Sequence, residues 1–387
     1  MTSYQLVLAA AGLLVTLGVL MVLSASSVAA YVDYSDSYWY FKRQIFFLVV
    51  GLIGVVVVVK LPRRALRVLG WVGLAGAVSL LILTYTPLGV TFQGNRNWLD
   101  IGPIRLQPSE FAKLALVIWG ADVLARKQKL LDQPKHLLVP YLPVAALIIL
   151  LIVFQGDAGT AAVVIGMVAG VLWMVGAPMR VFGVLFLTGA VGLAALILTS
   201  PNRLNRFEAF LNPTLDIEGI NRQATIGMYA IASGGWWGVG LGASRQKWGT
   251  LPEAHSDFIF AVIGEELGLF GSLVLLIMFL VLAYAGIRIA LRSDDMFCRY
   301  AAAGVTVWLT VQALINLGCV LRLLPIAGVP LPLVSYGGSA LLAALAGIGV
   351  LLVCARNEPE ARALLAAKKA RPRPRMTTVI GSRRTRG

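Results

Sequence analysis

The chain of 387 residues is 58% hydrophobic and 13% charged, with a mean hydropathy of +0.82. A soluble globular chain carries about 25% charged residues, so the composition excludes a water-soluble fold and points to an all-α polytopic membrane protein. The net charge of +15 does not imply a nucleic-acid partner. Much of the basic excess lies in the tail beyond residue 357, beside the last apolar run, where membrane lipids or a protein partner meet it.

Apolar runs of roughly 17–25 residues, enough to cross a bilayer, recur at 6–27, 44–59, 66–86, 108–125, 138–154, 158–175, 179–199, 258–287, 300–318 and 337–355. They predict about ten transmembrane helices. The short loops 60–67 and 126–135 concentrate Lys60, Arg63, Arg64, Arg67, Arg126, Lys127, Lys129 and Lys135, which sets both termini inside. The first run has no Lys or Arg ahead of it and is longer than a leader's apolar core, so it reads as a retained helix. A large extracytoplasmic loop, about 200–257, then falls between helices 7 and 8. Residues 1–357 form one membrane domain, followed by a basic disordered tail, 358–387.

No Walker loop, dinucleotide fingerprint or His-rich metal motif is present, and two histidines leave little room for a Ser–His–Asp set. Cys298, Cys319 and Cys354 fall on no metal-ligand spacing. The chemistry must lie in polar residues at or inside the membrane. The outward segment PLGVTFQGNRNWLDIGPIRLQ, 87–107, contributes Arg96. In LQPSEFAKLAL, Pro108 suits a first helical turn, and Glu110 and Lys113 share a face three residues apart. They read either as a pair that neutralises itself or as a pair lining a polar cavity. FQGDAGT places Asp157 at an outward helix junction.

The 200–257 loop is too rich in Trp, Gly and apolar residues for disorder, and residues 224–243 are apolar enough to lie along the interface or re-enter the membrane. Arg203, Arg206, Arg222, Arg245 and Lys247 lie on the outer side, against the positive-inside bias. They suit phosphate or diphosphate groups, or else are ordinary solvated loop residues. LPEAHSDFIFAVIGEELG then brings His255 and Asp257 to the mouth of a membrane helix and Glu265 and Glu266 into it; His255, like Arg96, is a further candidate to bind a diphosphate or sugar. Asp257 reads either as a cap for that helix or as a carboxylate that accepts a proton from a hydroxyl or holds a divalent cation. Glu265 and Glu266, about 12–14 Å further on at 1.5 Å per residue, are expected to be hydrogen-bonded in the protein interior. PIAGVPLPLVSYGGSA, 325–340, which contains Ser335, is broken by Pro and Gly, as at a cavity or gate.

Three stretches, NRNWLDIGPIRLQPSEFAK, GVGLGASRQKWGTLPEAHSDFIFAVIGEELG and PLPLVSYGGSALL, stand in one order on the helical frame. Together they resemble the SEDS proteins (shape, elongation, division and sporulation), represented by RodA and FtsW, over roughly residues 1–357. LPEAHSDFIF and the basic tail look more like FtsW. The resemblance implies a peptidoglycan glycosyltransferase of the bacterial cytoplasmic membrane. It would polymerise lipid II on the outer face and release undecaprenyl diphosphate, with a septal role in division. The resemblance also implies Asp257 as the essential loop aspartate, Glu110 and Lys113 as the membrane pair, and a divalent cation, Mg2+ or Mn2+. Its implied partners are a class B penicillin-binding protein and other division or elongation proteins. QGDAGT departs from the family's QPDLGT, which keeps Asp157 but alters its backbone setting. The rival readings are a lipid II flippase and a non-catalytic division scaffold.

Overall fold

Hydrocarbon cannot satisfy backbone N–H and C=O groups, so apolar runs of this length fold as helices that bond internally. The computed structural model describes residues 2–92, 94–102, 104–130, 139–198, 201–212, 221–248 and 251–363. Its helices are α1 Ser3–Tyr34, α2 Trp39–Lys60, α3 Arg63–Leu83, α4 Pro108–Arg126, α5 Tyr141–Phe154, α6 Ala158–Val175, α7 Met179–Leu198, α8 Pro201–Leu211, α9 Arg222–Gly234, α10 Ile259–Arg292, α11 Met296–Val320 and α12 Gly338–Arg356. Each of the ten predicted runs coincides with one helix. Seven of these helices are long and apolar enough to cross a membrane. α4 is not among them because Glu110, Lys113 and Asp122 interrupt its apolar character, and α5 is short.

Two features depart from the all-α expectation and its long loop. Residues 89–106 form a three-stranded antiparallel sheet of β1 Gly89–Phe92, β2 Asn95–Ile101 and β3 Ile104–Leu106, in the order β1-β2-β3. Asn97 and Leu99 are both buried, two residues apart and hence on one face of β2, while Asp100 pairs with Arg105 across the neighbouring strand at 3.1 Å. The 200–257 segment contains α8 and α9. Residues 213–220, 249–250 and the tail from 364 lie outside the described residues.

α4, α11 and α12 form the most buried part of the bundle, with α4, α6 and α10 against α11 and α2 against α12. One end is cross-linked by charge. Arg63 and Arg67 reach Asp295 at 2.6 and 3.3 Å, and Arg126 reaches Asp122 at 2.8 Å. The opposite end carries the sheet and the irregular segments 235–258 and 321–337.

α10 is broken at Gly268, whose φ of 66° and ψ of −163° suit glycine alone. The break leaves donors and acceptors without helical partners, and the segment after α9 supplies them. Val239 N–H donates to Glu265 O at 2.9 Å and Gly240 N–H to Glu266 O at 3.1 Å. Leu269 N–H donates to Gly235 O at 2.9 Å. The Trp- and Gly-rich stretch is thus laid into the helix as a substitute turn. A Cβ on residue 268 would stand 2.3 Å from Gly238 N. Gly268→Ala is therefore expected to destabilise the protein by roughly 1–3 kcal/mol, read as a fall in Tm in detergent.

Candidate active site

The peptide His255–Ser256–Asp257 is clamped through its carbonyls. Tyr336 N–H donates to His255 O at 2.9 Å, Ser335 Oγ to Ser256 O at 2.6 Å, and Asn316 Nδ2 to Asp257 O at 2.7 Å. Ser335 Oγ also accepts from Leu331 N at 2.9 Å. The Asp257 carboxylate, by contrast, makes no hydrogen bond or ion pair with any described residue, and the N-cap of α10 is Phe258, with no side-chain cap. Asp257 therefore does not finish the helix. It is partly exposed, and its Oδ2 lies over Gly328, where an added Cβ would stand 3.6 Å away. Burial, then the negative charges of Glu253 and Asp157, push its carboxyl up to about 7.

His255, expected among the diphosphate binders, instead stacks its ring 4.5 Å from Tyr40 and 5.4 Å from Tyr336. Burial lowers its pKa despite Glu253 and Asp33 nearby, so it is neutral at neutral pH. It packs rather than supplying positive charge.

Asp157 is fully engaged. It caps α6 through Thr160 N at 2.9 Å and accepts from Thr160 Oγ1 at 2.9 Å, Asn97 Nδ2 at 2.8 Å and Gln107 Nε2 at 3.3 Å. One carboxylate thus ties the sheet and the start of α4 to α6. This is the backbone setting of QGDAGT, and no Pro or Leu is needed for it.

Glu110 and Lys113 are paired at 2.8 Å and almost completely buried. Lys113 Nζ also donates to Gln312 Oε1 at 2.7 Å, and Gln312 Nε2 donates to Pro330 O at 3.0 Å. Glu110 Oε2 has no partner. The pair is a strut between α4, α11 and the 325–337 segment.

Glu265 and Glu266 hold the loop ahead of Asp257. Ser244 Oγ and Arg245 N donate to Glu265 at 2.5 and 2.9 Å. Ser24 Oγ donates to Glu266 at 2.6 Å. Lys247, expected to face a phosphate, turns inward to Glu266 at 3.4 Å and Gly242 O at 2.5 Å. The guanidinium groups of Arg222 and Arg245 are exposed and unpaired among the described residues. Arg96 is exposed and donates to Thr86 O at 2.8 Å. Arg203 and Arg206 fall within α8, with side chains outside the described set.

Asn316 and Gln312 escaped the reading of the sequence. Their signal was available, because WLTVQALINLG sets two amides four residues apart on an otherwise apolar helix. No group of three His, Cys, Asp or Glu residues gathers into a metal site among the described residues. The donor set nevertheless fits Mg2+ or Mn2+ in one mode, since such ions bind one or two carboxylates and complete their shell with substrate phosphates and water.

Residues 4–360 match the family profile described as "Cell cycle protein", which groups FtsW, RodA and SpoVE. The probable peptidoglycan glycosyltransferase FtsW of Mycobacterium tuberculosis is 42% identical over 95% of this chain and 70% of its own length. Stage V sporulation protein E of Bacillus subtilis is 38% identical over 89% and 94%. Among solved structures, a chain of a peptidoglycan synthase complex that coordinates polymerization and crosslinking superposes with a TM-score of 0.75. It is 29% identical and covers 90% of this chain and 96% of its own. RodA of Thermus thermophilus gives a TM-score of 0.67 at 28% identity, covering 91% and 96%.

The contrasting carboxylates lead to two expectations. Lys113→Met strands Glu110 as a buried charge and should cost about 3–5 kcal/mol, whereas Lys113→Met combined with Glu110→Leu should recover most of it. A double-mutant cycle of thermal unfolding checks this. Asp257 has the opposite sign. Its carboxyl titrates at about 7 in the folded protein against an ordinary value of 3.8. Between those values the unfolded chain is ionised while the folded protein is not, so stability falls as pH rises through the window, and the penalty is complete above about pH 7. Asp257→Asn should therefore raise Tm at about pH 8, and the gain should shrink on acidification and vanish below about pH 4.

Proposed function

The chain belongs to the cell cycle protein family of FtsW, RodA and SpoVE, and on that premise we propose that it is a peptidoglycan glycosyltransferase acting on lipid II. The observation that carries the reading is the bare Asp257 carboxylate, held on a clamped peptide at the elaborated end of the bundle. The acceptor's sugar hydroxyl approaches Asp257, which takes its proton as the oxygen bonds to the donor's anomeric carbon. The bond from that carbon to the diphosphate breaks, and its electron pair leaves with undecaprenyl diphosphate. Such a leaving group needs little acid catalysis. Arg245 and Arg222, exposed on the same outer segment, are the candidates to meet its charge. Asp257 is the residue that would hold a Mg2+ or Mn2+, which would supply further neutralisation of the diphosphate when bound.

On the reading of about ten spans with both termini inside, the charge-bridged end of α3, α4 and α11 would lie in the cytoplasm and Asp257 at the outer boundary. There a lipid-linked substrate presents its sugar just above the bilayer. Likeness to a chain of a peptidoglycan synthase complex supports a class B penicillin-binding protein as the partner that cross-links the strands. Likeness to FtsW supports a septal role. The Glu110–Lys113 pair, closed into a buried strut, favours the enzyme over a flippase.

Purified protein, with and without the transpeptidase, is given labelled lipid II and the products are separated by length. Glycan strands are expected from the parent and not from Asp257→Asn. The parent's rate should rise with pH through about 7 as the carboxylate ionises. Translocation across liposomes without polymer would instead establish a flippase, and neither activity a scaffold.

A further inference from the structure

Gln312 and Asn316 lie four residues apart on α11 and hence on one face, each 2% exposed. Asn316 Nδ2 has two hydrogens and uses both, donating to Asp257 O and Val329 O at 2.7 Å each. Gln312 Oε1 accepts from Lys113 Nζ at 2.7 Å and from Trp308 Nε1 at 2.8 Å. Two donors on that oxygen decide which way the amide is turned, so Nε2 must face Pro330 O, 3.0 Å away. Val329 and Pro330 directly follow Gly328, the residue beneath the Asp257 carboxylate. One helix face therefore holds the backbone that carries the carboxylate and the backbone that floors it.

We propose that Asn316 and Gln312 are positioning residues for glycosyl transfer, fixing the Asp257 peptide against segment 328–330, with Gln312 oriented by the intramembrane Lys113–Glu110 pair. This rests on the reading of Asp257 as the base. Neither amide reaches the reacting atoms. Asn316 acts through the main chain of Asp257, and Gln312 through the segment on the far side of the carboxylate. A carboxylate aimed only by its own peptide moves with that peptide, and a misplacement of about 1 Å at a reacting group costs about 100-fold in rate. The arrangement also gives the buried Glu110–Lys113 pair a role at a distance. Its ammonium holds the Gln312 oxygen, leaving the amide nitrogen free to pin the floor of the site.

The ionisable groups facing Asp257 are Glu253 from its own segment, Asp157 from the start of α6 and Cys319 from α11. All three remain in the variants that test the idea. Asn316→Ala removes both bonds. Gln312→Glu is nearly isosteric and still accepts from Lys113 and Trp308, but it cannot donate to Pro330.

The full chain, reconstituted in liposomes, is assayed with labelled lipid II from about pH 5 to 9, with Tm recorded for each variant. Both variants are expected to lose about 100-fold in kcat while KM changes less than about twofold. Retention of the parent's kcat in both variants overturns the proposal, and so does a loss that tracks a fall in Tm or in folded protein, which is what a merely structural role gives. Asp257→Asn runs alongside. If that variant still polymerises, the reading of the base fails and the positioning with it, whereas an inactive Asp257→Asn beside fully active Asn316→Ala and Gln312→Glu sinks the positioning alone.

Discussion

The structure depends on one constraint: backbone that leaves the helix near hydrocarbon must find its partners in protein. Two segments leave the helix, and both are paired almost residue by residue. Residues 235–240 lie in the break of α10, exchanging bonds with Glu265, Glu266 and Leu269. The 325–337 segment is pinned by Asn316 and Gln312 and in turn clamps the carbonyls of His255 and Ser256, while Asn316 itself holds that of Asp257. Satisfying the backbone so thoroughly makes the peptide rigid, and rigidity aims whatever side chain it carries. Asp257 is that side chain.

Buried carboxylates are costly unless paired or hydrogen-bonded, and the chain solves the problem in three ways within one region. Asp157 takes four donors, Glu110 takes a lysine, and Glu265 and Glu266 take serine hydroxyls, main-chain amides and Lys247. Among the described residues of this region Asp257 alone makes no side-chain bond, although Glu110 Oε2 is also without a partner. On the proposed reading this partly exposed carboxylate is left bare for a substrate. That contrast, more than any single distance, supports the site.

Much of this was legible in the residues. Helix positions followed from apolar length, which in a membrane decides secondary structure almost alone, and the isolated Glu265–Glu266 and Glu110–Lys113 groups announced that they would be neutralised by protein. The sheet at 89–106 was not announced, because its strands are short and their alternation is broken by turn residues Gly94 and Gly102. Lys247 and His255 were misjudged for a physical reason. Placement outside the membrane predicts charge facing water, yet the loop folds back into the break at Gly268. That carries Lys247 to Glu266, while His255 is drawn between Tyr40 and Tyr336. That turn back toward the bundle uses positive φ at Gly235, Gly238, Gly240, Gly242 and Gly268, which composition does not reveal.

The cost of Asp257 and its use have the same origin. Burial and two neighbouring carboxylates make its charge unfavourable, and each unit of raised pKa is about 1.4 kcal/mol withdrawn from the folded state. The same unit makes the carboxylate a better proton acceptor, since general-base efficiency rises as the base's pKa approaches the working pH. A carboxylate at its ordinary value of 3.8 would be ionised but weakly basic, whereas one far above 7 would be protonated and idle. Glu253 and Asp157 fix the balance from two directions, and Asp157 can contribute because its own bonds to Asn97, Gln107 and Thr160 hold its charge in place. On the proposed mechanism the sheet, the start of α4 and the cap of α6 would therefore act on the reaction electrostatically, through a carboxylate held in bonds beside the bare one.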